Sequence, residues 1–232
     1  MNKNQILDQI KGGLIVSCQA EKDEPLGKPE ILAAIAETAV IGGAAGIRAC
    51  YPGNIVAIKQ AVDVPVIGIY KKKYPDSDVI ISPTREENLA VAESSPEIIA
   101  LDATNRKRPD NEKLEDIVDK LRVETNSLLM ADIDTLENGI KAVKLGFDLI
   151  GTTLSGYTQA TESQQTPYQP DFQLIEDLVK TLDDKIPVIA EGRIWNPEDA
   201  RKIMQMGVHS IVIGSAITRP HHITRRFVEA IK

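Results

Sequence analysis

The chain has 232 residues, 42% hydrophobic and 26% charged, which is enough for one globular domain with a sizeable core. A net charge of −7 leaves no basic footprint for nucleic acid, so an anionic ligand would need a local positive site; no apolar run approaches the ~20 residues of a membrane span. Two cysteines, Cys18 and Cys50, are too few for a disulfide framework and fit a reducing cytoplasm, and residues 1–13 are polar, without the apolar centre of a signal peptide.

In chain order, residues 14–17 read as a first strand ending at Cys18 and Gln19. Pro29 opens a helix over 30–40, closed by Gly42 and Gly43. A short second strand, 46–50, contains Arg48, and a helix from Gly53 to Val62 leads to a third strand, 64–70, that ends at Lys71. Residues 79–82 form an apolar run with no helical crossover before it, so it reads as an extra extended segment and not as a strand of the main series. A helix over 84–94, strand four at 97–101 ending in Asp102, a helix over 111–125, and strand five at 128–131 ending in Asp132 follow. A helix over 136–145 and strand six at 148–151 lead to Thr152 and Thr153. The polar stretch 154–170 has no core pattern, as expected of a lid or mobile loop. After a helix over 172–182, residues 186–190 and 210–213 are the last two strands, breaking into Glu191-Gly192-Arg193 and Gly214-Ser215-Ala216 around a helix. The chain closes with Arg219, Pro220 and a helix over 222–232.

Short apolar strands without alternation are buried on both faces, and eight strand–helix repeats without a dinucleotide glycine fingerprint predict an α/β fold, a closed (β/α)8 (TIM) barrel of the phosphate-binding type, spanning 1–232 as one domain. The two glycine turns after strands seven and eight expose N–H groups to an anion, with Gly192, Gly214, Ser215 and Arg219 as the phosphate anchor. Catalytic groups in such a barrel project from strand ends, which here carry Gln19, Arg48, Lys71, Asp102, Asp132, Thr152, Thr153, Glu191 and Ser215. Each has a plainer alternative. Gln19, Thr152 and Thr153 could bond loop backbone; Arg48 could pair with Asp102 or Asp132; Asp132 could cap the helix near Thr135; Glu191 could pair with Arg193 or Arg48. Lys72 and Lys73 read as a solvated face, whereas Lys71 continues the strand directly, where partial desolvation near Arg48 would lower its pKa and suit it to act as a base or Schiff-base nucleophile. Three histidines without metal-ligand spacing, and no Walker or G-x-G-x-x-G motif, point to an enzyme with neither metal nor cofactor; Cys18 and Cys50 read as buried, inert thiols.

Eight segments in order, 14–20 (LIVSCQA), 46–49 (GIRA), 67–71 (IGIYK), 99–104 (IALDAT), 129–133 (LMADI), 146–158 (GFDLIGTTLSGYT), 188–193 (VIAEGR) and 214–220 (GSAITRP), make the chain resemble the N-acetylmannosamine-6-phosphate 2-epimerase family from about Lys11 onward. The resemblance implies a cytoplasmic enzyme of sialic-acid breakdown that interconverts N-acetylmannosamine 6-phosphate and N-acetylglucosamine 6-phosphate. It also implies Lys71 as the proton-transfer residue with Glu191 its carboxylate partner, Gln19, Arg48 and Asp132 on the sugar, and Gly192, Gly214, Ser215 and Arg219 on the phosphate. Arg193 stands at a position that varies in the family, so its backbone N–H is the better candidate than its side chain. Lys72 and Tyr70 depart from the family pattern, away from the proposed chemistry. On the residues alone, a Schiff-base aldolase or a non-catalytic sugar-phosphate binder remains open. The apolar Ile223, Phe227, Val228 and Ile231 of the last helix either close its own barrel or pack against a second copy, a homodimer being the expectation.

Overall fold

The computed structural model describes residues 1–21, 23–162, 168–183 and 185–232. It runs α1 (Lys3–Ile10), β1 (Leu14–Cys18), α2 (Pro29–Ile41), β2 (Gly46–Cys50), α3 (Pro52–Ala61), β3 (Val66–Ile69), α4 (Arg85–Glu93), β4 (Ile98–Asp102), α5 (Leu114–Glu124) and β5 (Leu128–Asp132). Then come α6 (Leu136–Lys144), β6 (Leu149–Gly151), α7 (Phe172–Leu182), β7 (Val188–Glu191), α8 (Pro197–Gln205), β8 (Ser210–Ile213), α9 (Ser215–Thr218) and α10 (Pro220–Ala230). All eight strands are parallel and close in sequence order, β8 pairing back onto β1 through Leu14–Ile211 and Ile15–Val212. The (β/α)8 barrel expected from the strand–helix alternation is therefore present.

Alternation along the strands divides the core in two. Ile15, Ile67, Ile98, Leu128, Met130, Ile189 and Val212 fill the barrel interior, and Ile47, Val66, Ile99, Leu129, Ile150 and Ala190 face the surrounding helices. Ser17, Arg48, Asp132 and Glu191 share the inward parity, so polar groups sit on top of an apolar plug at the C-terminal rim. Helix α1 was not anticipated. Its Asn2–Gln5 capping box and the i,i+4 pair Ile6 and Ile10 are legible in hindsight, and both isoleucines close the bottom of the interior core.

The extra segment after β3 is a wedge. β3 and β4 pair only at Ile67–Ile98 and Gly68–Ile99; above that level the chain returns antiparallel, with Lys71 bridged to Ile81. Ser82 N–H donates to the Tyr70 carbonyl at 2.6 Å, and Asp102 N–H donates to the Ile81 carbonyl at 3.1 Å, so residues 81–82 sit between the two strands at the mouth. Ser82 adopts φ 46° in a fully buried position, held by its hydroxyl on the Ala100 carbonyl and by Asn88 on its own carbonyl. Lys72 is not the free solvated residue expected of a charge run: its ammonium donates to buried Glu87 of α4 at 2.7 Å, which also accepts from Tyr74 at 2.8 Å. Burial would push the Glu87 carboxyl up, but Lys72, Thr84 and Tyr74 outweigh it and hold the group below its ordinary value. The hairpin carrying Lys71 is thereby pinned to the helix behind it.

Candidate active site

A cavity of about 340 Å³ opens at the C-terminal rim, and its wall includes Gln19, Lys71, Thr153, Glu191, Gly192, Arg193, Gly214, Ser215 and Arg219. Nine of the sequence-predicted positions are thus brought together. Arg48, Asp132 and Thr152 are not on the wall; the first two have no solvent-accessible surface. The reason is an ion-pair network beneath the floor. Arg48 reaches across the barrel from β2 and donates to Asp132 of β5 through both terminal nitrogens, at 3.1 and 2.5 Å, and to Glu191 of β7 at 2.9 Å. Thr153 joins it, its hydroxyl 2.7 Å from Asp132 and 3.1 Å from Glu191. Thr152 braces the same carboxylate from the backbone side: its hydroxyl lies 2.9 Å from the Glu191 carbonyl and 3.0 Å from the Glu191 N–H.

The electrostatics follow from that burial. Desolvation alone would lower the Arg48 pKa, but Asp132 and Glu191 reverse it and hold the guanidinium above its ordinary value. Burial pushes the Glu191 carboxyl above the usual carboxylate range, with Asp132 adding to the rise and Arg48 and Lys71 opposing it. Lys71, partly buried on the cavity wall, is therefore felt electrostatically by Glu191. Asp132 does not cap the following helix; Thr135 does that, accepting from Asn138 N–H at 3.3 Å. Asp102 is held away from the cavity by Arg106 at 2.5 Å and by Thr104. Burial pushes the thiols of Cys18 and Cys50 up to about 12 and about 11, leaving them inert at neutral pH.

Beside Glu191 the backbone carries the turn. Gly192 has φ 113°, a conformation that a side chain resists, and it comes immediately after Glu191. Gly214 lies where a Cβ would stand 3.2 Å from the Ser17 Cβ, and Thr218 fixes α9 by donating to the Ser17 carbonyl at 2.7 Å. Arg193 donates to the carbonyls of Gln169 at 2.8 Å and Ser155 at 2.5 Å and lies over the Tyr157 ring, so its side chain grips both ends of the 154–170 loop. Residues 163–167, the middle of that expected lid, lie outside the described residues. Arg219 lines the cavity while bonded to Glu24 at 3.0 and 3.2 Å, and its Nε has no partner among the described residues. Gln19 donates to Ser17 at 2.7 Å and leaves its buried Oε1 without a partner among the described residues. Sequence reasoning missed Ser17, Ile81, Leu154, Tyr157 and Trp195 on the wall. Ser17 was findable, two residues before Gln19 on an inward face; the others come from loops, where no periodicity operates.

A closed (β/α)8 barrel with a lysine, a carboxylate and two glycine turns around one cavity at its C-terminal rim has the layout of a barrel enzyme's active site. Residues 32–232 match the family model described as "Putative N-acetylmannosamine-6-phosphate epimerase". The chain belongs to that family. It is 50% identical over 230 residues to the "Putative N-acetylmannosamine-6-phosphate 2-epimerase" of Listeria monocytogenes serotype 4b (strain F2365), covering 99% of this chain and 98% of the relative. A protein of the same name in Clostridioides difficile (strain 630) is 49% identical, over 98% and 99% of the two chains. Among solved structures, the N-acetylmannosamine-6-phosphate 2-epimerase from Clostridium perfringens superposes with a TM-score of 0.93 at 48% identity, over 99% and 98%. A thiamine phosphate pyrophosphorylase from Pyrococcus furiosus, 19% identical with a TM-score of 0.61 over 91% and 89%, shares the fold alone.

A hydrogen bond to a charged group contributes about 1.5–3 kcal/mol. Asp132→Ala takes two such bonds from buried Arg48 while leaving it Glu191, so it is expected to destabilise the barrel by about 2 kcal/mol in urea unfolding. A change within the ~0.5 kcal/mol of ordinary surface substitutions would show that Arg48 does not depend on Asp132.

Proposed function

We propose that this protein is a cofactor-independent 2-epimerase of amino-sugar catabolism, an isomerase that interconverts N-acetylmannosamine 6-phosphate and N-acetylglucosamine 6-phosphate. The observation that carries the chemistry is Lys71 after β3 and Glu191 of β7 lining one cavity together with Gly192 and the 214–215 turn. Full-length relatives bearing the epimerase name favour it over the aldolase and non-catalytic alternatives.

Inverting C2 means removing a proton next to a carbonyl, so the pyranose must first open. Glu191, braced by Arg48, Thr152 and Thr153, takes the anomeric hydroxyl proton and delivers it to the ring oxygen. Lys71 then takes the proton from C2 to leave an enolate, and the lysine so protonated returns a proton to the opposite face after the C1–C2 unit has rotated. Arg48, shielded from the cavity, acts through Glu191 by fixing its position and charge. The phosphate, held by the N–H groups of Gly192, Gly214 and Ser215 and by Arg219, anchors the far end of the sugar so that C2 lies at Lys71.

A homodimer is part of the same reading. Helix α10 buries none of its residues and leaves Phe227 69% and Val228 40% exposed, a face suited to a second copy of the chain. A cytoplasmic location fits two buried cysteines that form no disulfide, and cell fractionation would check it.

Lys71→Ala is expected to lower kcat by about 10²–10⁴-fold, and in deuterated water the wild-type enzyme should exchange or invert C2 while the variant does neither over the same interval, as followed by NMR. Near-normal turnover in the variant would sink the assignment of Lys71. Because the Glu191 pKa is raised, the folded enzyme keeps that carboxyl protonated at pH values where an ordinary one is ionised; kcat should climb as pH rises through the raised value. Glu191→Gln should abolish this acid limb, whereas an unchanged limb would assign it to another group. Sedimentation at micromolar concentration should give twice the chain mass, and Phe227→Asp should shift it toward the single chain; a wild-type monomer would end the dimer proposal.

A further inference from the structure

Ile81 occupies an unusual place for an apolar side chain. It comes from the wedge inserted between β3 and β4, lies directly opposite Lys71 in an antiparallel bridge, and lines the same cavity. Directly opposed residues of an antiparallel pair project on the same face with Cβ atoms about 4.5–5.5 Å apart. The Ile81 side chain therefore stands beside the stem of Lys71, and it packs in the interior apolar cluster with Leu154, another cavity residue. The two glycine turns follow β7 and β8, across the mouth from β3. Apolar surface at the lysine end has no use in holding a hydroxyl or a phosphate.

We infer that Ile81 and Leu154 form the surface that receives the N-acyl group on C2 of the substrate, and that they set the permitted length of that group. The inference rests on the epimerase reading above. If Lys71 reaches the C2 proton, the acylamino substituent on the same carbon is carried against the wall next to the lysine. The acyl carbon chain is the substrate's apolar portion, and Ile81 and Leu154 are nearly buried apolar side chains of the cavity wall. Since the wedge also sets the position of Lys71 through the same bridge, acyl recognition and the base share one short piece of backbone.

The test compares N-acetyl- and N-propanoyl-mannosamine 6-phosphate as substrates of wild type, Ile81→Ala, Leu154→Ala and the milder Ile81→Val. One methylene in a hydrophobic pocket discriminates by about 10–200-fold. Wild type should favour the acetyl substrate, and Ile81→Ala and Leu154→Ala should each move the propanoyl-to-acetyl ratio of kcat/KM by about tenfold or more toward propanoyl. Ile81→Val should move it in the same direction by less, and it carries the test if Ile81→Ala does not fold. A ratio unchanged within about twofold in every folded variant, with acetyl turnover intact in wild type, would overturn the acyl-wall inference and leave the epimerase reading standing. No wild-type epimerisation of the acetyl substrate would instead remove the reading on which it rests.

Discussion

One buried guanidinium organises the upper half of this barrel. Arg48 cannot shed its charge and has no access to water, so the fold must supply anions to it, and it does so from two strands on the far side. The consequence is mutual. Asp132 and Glu191 are drawn toward a common point, β2, β5 and β7 are cross-braced under the cavity floor, and Glu191 is held with one oxygen engaged. Well-packed hydrophobic residues in place of a buried ion network are often as stable or more so, which makes its presence easier to understand as a means of holding a carboxylate in place than as a source of stability.

The wedge of residues 81–82 performs the corresponding service for Lys71. In a plain barrel the end of β3 would pair with β4; here the antiparallel return interposes itself, and Glu87 ties Lys72 and Tyr74 down from behind. Lysine stems are flexible, so fixing the backbone on both sides of Lys71 removes much of the freedom that would otherwise blur its position.

Barrel, strand order and the nine rim residues were legible because they follow from repeating physics. Buried parallel strands appear as unbroken β-branched runs, and the polar residue ending each run marks the rim. Which polar groups face the cavity and which lie below it was not legible, since only the ladder register, which pairs Arg48 with Ile67, sets Arg48 four residues below the level of Lys71. For Arg193 the backbone N–H was preferred to the side chain on the sequence, and the geometry gives the guanidinium another task, bonded to the carbonyls of Ser155 and Gln169. Helix α1 was overlooked because its polar composition masked a two-isoleucine stripe. Non-local pairings such as Lys72 with Glu87 leave no periodic trace at all.

The Arg219–Glu24 contact has an implication for how an anion is received. A carboxylate from the β1–α2 loop sits against the guanidinium, and the upward push of burial on Glu24 is outweighed by the Glu21 N–H and Arg219, which hold its carboxyl below the ordinary value. A phosphate docking on Arg219, as proposed above, would exchange one negative partner for another. Affinity there would be the difference between two ion pairs, and the loop that carries Glu24 would sense occupancy of the mouth.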